Sequence, residues 1–245
     1  MANEQTLPDF VLDDNAVLKD DEASWRYGKA PDYSKTRAFY QETKTMSHEA
    51  KSLPDLVEKL VKNWEIEASF KTSLDDWRTI DRKTYTFSLN GGEPQSGEHM
   101  LKVGTYNALL TSSSYYDPIN NDFETSHKAF KRMMPTFAWE VKEVYSGPPV
   151  VIFKWRHWGY MVNDYIGNND RGESVKIKAH GGLIDIVGIV IAKVNEGLQL
   201  EKIDVWYDPM DMMRQIAREH KGEAVDASAA TSGCPVLAGS RPASE

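Results

Sequence analysis

The chain offers few side chains that could move a proton. His157 ends a run of alternate apolar residues, Val151, Phe153 and Trp155, in VVIFKWRHWGYM. An imidazole at the end of such a face is suited to general acid or base work if the face lines a cavity, since its ordinary pKa lies near neutrality. The structural alternative is a histidine satisfied by hydrogen bonds in the core. Asp185 lies in LIDIVGIVIAKV, where both strand faces are largely apolar. Burial there would raise its pKa and make it a proton acceptor, unless a neighbouring donor satisfies it at a strand bend. Asp204 and Asp208 alternate with Trp206 on the last strand, and Asp208 before Pro209 also suits a helix N-cap. Tyr160 falls on the face opposite His157 and is suited chiefly to packing. His48, His99, His127 and His220 are scattered, His180 stands before a Gly-Gly pair, and no metal spacing is present. No G-x-S-x-G, Walker or G-x-G-x-x-G motif occurs. Cys234-Pro235-Val236 resembles a short haem-ligating Cys-Pro pair, a two-residue match set against an exposed thiol in a polar tail. No cofactor is therefore expected.

These residues need elements to hold them. LIDIVGIVIAKVNEGLQLEKIDVWYDPMD, 183–211, reads as a long strand, a tight turn at 195–197, a second strand and a helix entry at Asp208-Pro209. Ser52–Phe70 is a helix, with Ser52 and Asp55 spaced as a capping box. Leu53, Leu56, Val57, Leu60, Val61, Trp64 and Ala68 form its apolar stripe. Shorter helices are expected over 34–46 and 97–111, and a strand over 84–90. Residues 112–135 form a long loop or a helix-containing insertion of the kind that often covers a binding site. Strands follow over 136–145 and 150–161, divided by Ser146-Gly147-Pro148-Pro149. A third runs over 174–194 with a bend at Gly181-Gly182. Helices first, then an antiparallel meander, then a closing helix argue for α+β.

Residues 1–50 read as an arm packed on the core, acidic and turn-rich over 1–24, residues 51–220 as one domain and 221–245 as a flexible tail too poor in apolar residues to form a core. With a net charge of −8 among 245 residues, a broad nucleic-acid or anionic-lipid surface is not expected. The longest apolar run, 183–194, is too short for a bilayer, so no membrane partner is expected either. The polar segment Met1–Asp9 does not read as a signal peptide, and the single cysteine suits a reducing, cytoplasmic setting.

Three segments resemble the plant pathogen-related protein family of the SnoaL-like, NTF2-like superfamily. They are Trp25-Arg26-Tyr27-Gly28 with Pro31-Asp32-Tyr33, Tyr145-Ser146-Gly147-Pro148-Pro149 leading into Phe153-Lys154-Trp155-Arg156-His157-Trp158-Gly159-Tyr160-Met161, and Glu201–Pro209. The resemblance spans roughly 17–215. It implies a cone, in which a curved antiparallel sheet wraps helices around an apolar pocket, and homodimers formed through the sheet. Phe153, Trp155, Trp139, Tyr160, Trp206 and Trp64 are then the aromatics expected against a small apolar ligand. His157, Asp185, Asp204 and Asp208 become the candidate acid/base groups, as with the aspartate base of ketosteroid isomerase in a similar cone. The family brings no single activity with it. The polar groups near an apolar cavity put a cofactor-independent isomerase, dehydratase or cyclase, acting by proton transfer, slightly ahead; the alternative is a non-catalytic carrier of an apolar ligand with a stress or defence role.

Overall fold

The structure, a computed structural model, describes residues 6–218. Its helices are α1 (Ser34–Thr43), α2 (Leu53–Phe70), α3 (Gly97–Val103), α4 (Thr105–Leu109), α5 (Phe123–Met133) and α6 (Pro209–Ala217). Its strands are β1 (Thr86–Leu89), β2 (Gln95–Ser96), β3 (Ala138–Ser146), β4 (Val150–Tyr160), β5 (Tyr165–Asn168), β6 (Ser174–Ile177), β7 (Leu183–Val194) and β8 (Leu200–Trp206).

The main sheet has the order β2-β1-β8-β7-β4-β3. The four strands β3, β4, β7 and β8 form the expected antiparallel meander. The sheet as a whole is mixed, because β1 joins the free edge of β8 in parallel. Such a pair needs a long crossover, and the whole stretch between residues 90 and 199 supplies it. Bulges in β3 and at the end of β7 accompany the sheet's curvature. A bent sheet wrapped over α2 is the cone that the resemblance implied.

Several boundaries differ from the sequence reading. Gly181-Gly182 is a break rather than a bend: β6 leaves to pair with β5 in a separate two-stranded sheet, and β7 starts afresh at Leu183. The 97–111 helix divides at Gly104, whose φ of 87° suits glycine and stops α3. Ser52 stands at the N-cap of α2 without a side-chain cap bond, and Asp55 accepts from the Lys51 amide instead. The 112–135 stretch contains α5, capped by Asp122. The tail beginning at 221, with Cys234, lies outside the described residues.

The segment before α1 is stitched to α2 by polar side chains. Asn63, fully buried, accepts from the Val17 amide and donates to the Phe10 and Asp13 carbonyls. Glu67 and Lys71, also fully buried, pair at 2.9 Å, and Lys71 reaches Asp20 at 2.6 Å. Glu67 further accepts from the Arg78 and Thr79 amides and the Thr79 hydroxyl, so each charge is met by several partners. Phe10 and Val11 are thereby held in the main core.

Candidate functional site

Strand alternation decides which residues reach the interior. On β4, Val151, Phe153, Trp155 and His157 point toward α2; on β7, Ile186, Val190, Ala192 and Val194 do so; on β8, Ile203 and Val205. Between this surface and the stripe of α2 lies a cavity in which the centre of a water-sized sphere can range over about 180 Å³. One water needs about 10–15 Å³ on that measure. Trp64 and Val61 of α2, Tyr106 and Leu109 around α4, Trp139 of β3 and Tyr207 complete an aromatic and aliphatic wall.

The polar groups of the wall gather at one end. Glu65, on the turn of α2 beside Trp64, accepts from Tyr33 Oη at 2.6 Å, Lys131 Nζ at 2.7 Å and Ser69 Oγ at 3.1 Å. Burial works to raise the Glu65 pKa, yet the Lys131 charge and these three bonds hold it down at about 2. Lys131 moves the other way: burial opposes its charge, but Glu65 keeps it protonated well above the ordinary lysine range. Tyr33 is pushed well up by burial and by the neighbouring carboxylate. Tyr106 is pushed up to about 12, chiefly by burial.

His157 belongs to this end and packs its ring on Phe137. Burial, then the Lys131 charge, lowers its pKa to about 3, so the imidazole is neutral at physiological pH. Its Nδ1 is buried without a well-formed hydrogen bond among the described residues, as is Trp155 Nε1. Phe153, Trp155, Trp139 and Trp64 line the cavity as the strand and helix periods required.

The three aspartates do not reach it, which corrects the expectation from sequence. Asp185 is on the outer face of β7, where Arg156 holds its carboxylate with Nε at 2.9 Å and Nη2 at 2.8 Å. Both faces of LIDIVGIVIAKV are apolar, and pairing register turned Ile184 and Ile186 inward and Asp185 outward. Asp204, although buried, points outward beneath the 90–92 turn and accepts from the Gly91 amide at 3.3 Å. Asp208 caps α6 by accepting from the Met210 amide and pairs with Arg214. Tyr160 and Trp206 are likewise on the outer face, 43% and 44% exposed, and not on the cavity wall. His180 is also away from it, beside Gln215.

Sequence reasoning passed over Tyr33, Glu65 and Lys131. Glu65 is adjacent to the apolar stripe, one turn beyond Val61, a position that a wide buried face also covers. Lys131 lies in the stretch left open as loop or helix. Among the described residues no three His, Cys, Asp or Glu side chains converge as a metal site would need, and no helix is long and apolar enough to cross a membrane.

The barley (Hordeum vulgare) "Pathogen-related protein" is 32% identical to this chain over 223 residues, which covers 88% of this chain and 89% of that one. The chain belongs to the pathogen-related protein family. No family profile matches it. Solved structures similar to it include a protein assigned as a SnoaL-like polyketide cyclase from Jannaschia sp. CCS1, with 13% identity and a TM-score of 0.37 over 70% of this chain and 99% of that one. Another is IdmH from Streptomyces antibioticus, assigned as a polyketide cyclase, with 12% identity and a TM-score of 0.40 over 68% and 100%. At these scores they stand as resemblances only.

Proposed function

We propose that the protein binds and carries a small apolar molecule in the cavity between α2 and the sheet, without a cofactor. One observation carries this reading: the wall between α2 and the sheet is mainly aromatic and aliphatic, and its polar groups Tyr33, Glu65 and Lys131 are tied to one another, while His157 is held at about 3, Glu65 at about 2 and Tyr106 at about 12. A general acid or base works best with a pKa near the operating pH. An apolar cavity with a few fixed polar groups is what ligand binding requires. Trp155 Nε1 and His157 Nδ1, buried without a well-formed hydrogen bond among the described residues, give the wall polar atoms that a ligand could engage. The name of the barley relative supports a setting in the response to pathogens, and the lone cysteine a cytoplasmic one. The test is mass spectrometry of solvent-extracted, natively purified protein. The expected result is an apolar compound at near-equal molar ratio that is recovered chemically unchanged after incubation; empty protein that also takes up no apolar probe would refute the proposal.

A second reading, an isomerase, dehydratase or cyclase, is favoured by the position of His157 on the wall beside the Lys131–Glu65 pair. It requires turnover of a terpenoid, polyketide or oxylipin-like compound that disappears in His157→Ala. Turnover unchanged in that variant removes the role. The outer sheet face, with Val187, Ile189, Ile191 and Trp206 exposed, supports a homodimer formed through the sheet.

A further inference from the structure

The cavity has a direction and a charge. Along β4 its wall runs Val151, Phe153, Trp155, His157, a span of about 20 Å at the strand rise of about 3.3 Å per residue. Val151 faces Ala192 across the sheet, and Val194 faces Leu200, so that end is wholly apolar. His157 marks the other end, with Lys131, Glu65, Tyr33 and Arg37. Phe153 and Trp155 of β4 and Val190, Ala192 and Val194 of β7 continue that wall without a charged side chain, a length that an extended chain can follow. An extended hydrocarbon matches that length, because each C–C bond of about 1.5 Å advances the chain by roughly 1.3 Å, and about 14–16 carbons cover it.

The polar end is rich in spare donors. Lys131 gives one of its three N–H groups to Glu65. Arg37 gives Nε to Asn15 Oδ1 and Nη2 to the Asp14 carbonyl, and its Nη1 has no partner among the described residues. Glu65 already accepts three bonds. Among the charged lining residues three cations, Arg37, Lys62 and Lys131, stand against one carboxylate, Glu65, with Asp14 pairing Arg37 and Lys62 from outside the wall. A carboxylate meets that combination of open N–H groups and surplus of lining cations, whereas a hydroxyl leaves the charge unused.

We infer that the cavity takes a long-chain carboxylate, with its head against Lys131 and Arg37 and its chain along β4 toward Val151. This rests on the reading of the cavity as a ligand site and specifies the ligand's class.

Isothermal titration of the full-length protein with hexadecanoic acid, hexadecan-1-ol, decanoic acid and 1,8-dihydroxyanthraquinone, each below its aggregation limit, tests it. Hexadecanoic acid is expected to bind at least about tenfold more tightly than the alcohol or the ten-carbon acid. Lys131→Met is expected to bring the acid to the affinity of the alcohol and leave the alcohol unchanged. Ala192→Phe, which fills the apolar end, is expected to weaken hexadecanoic acid by about tenfold and spare decanoic acid. Equal binding of acid and alcohol, indifference to Ala192→Phe, or preference for the anthraquinone overturns the inference and leaves the cavity a ligand site. If none of the four binds, the cavity reading falls as well. Should Lys131→Met fail to fold, the head-group and chain-length comparison on the unaltered protein decides alone.

Discussion

His157 shows how position on a strand can override the chemistry of a residue type. Its neighbours remove water from the ring, and Lys131 adds a like charge, so the folded protein binds the proton far more weakly than the unfolded chain. The same holds for His127, lowered to about 4 by burial and then Lys131. Below pH about 6.5 the unfolded state takes up protons that the folded state refuses, so stability falls with acidification from there toward pH 4 and 3. Glu65 acts in a separate window: its lowered pKa gives stability that is complete above about 4.5 and is lost as the pH falls toward 2. The expected outcome is a melting temperature that declines steadily between pH 6.5 and 4, with a shallower decline in His157→Phe. NMR titration should show the His157 ring neutral at pH 5. A ring that titrates near 6.5 would place it in water.

Elements are joined here by buried charge and by the absence of side chains. Lys71→Met leaves Glu67 buried without its counter-charge and releases Asp20, and an expected loss of about 3–5 kcal/mol in chemical denaturation follows. Gly188 of β7 supports the cavity from the sheet: a Cβ there would stand 2.4 Å from Trp155 Cζ2 and 2.5 Å from the Trp206 carbonyl oxygen. Gly188→Ala is expected to cost about 1–3 kcal/mol and to shift the tryptophan fluorescence as Trp155 is displaced. An unaltered spectrum and melting point would mean that the indole has other room. The helix stripe of 52–70 and the alternation of β4 were legible because each follows a single period against a single core. β7 was not, since Val187, Ile189 and Ile191 make its outer face as apolar as its inner one. No periodicity then assigns Asp185 to a side.

At the scale of the whole molecule the two sheet faces divide the work. The inner face holds the cavity; the outer face presents Val187 at 54% and Ile189 at 41% exposure beside Arg156 and Lys154 of β4. Association through that face is expected to give a dimer in analytical ultracentrifugation, and Ile189→Lys is expected to shift it to monomer without loss of ligand binding. A monomeric parent protein would exclude the interface.

The sequence by itself determined the α+β class, the helix that fills the cone, the strands that wrap it and the aromatics Phe153, Trp155, Trp139 and Trp64 on the inner wall. These follow from local period and from the need to bury apolar side chains. Tertiary structure alone decided the polar end. Tyr33, Glu65 and Lys131 are 32 and 66 residues apart, and neither distance has a local signature. Their pKa shifts come from one another and from partial burial, which exist only once the arm, α2 and α5 meet. The same assembly sent Asp185, Asp204 and Asp208 to an outer pair, a turn and a cap, because an outward carboxylate finds partners or water while an inward one would face an apolar wall.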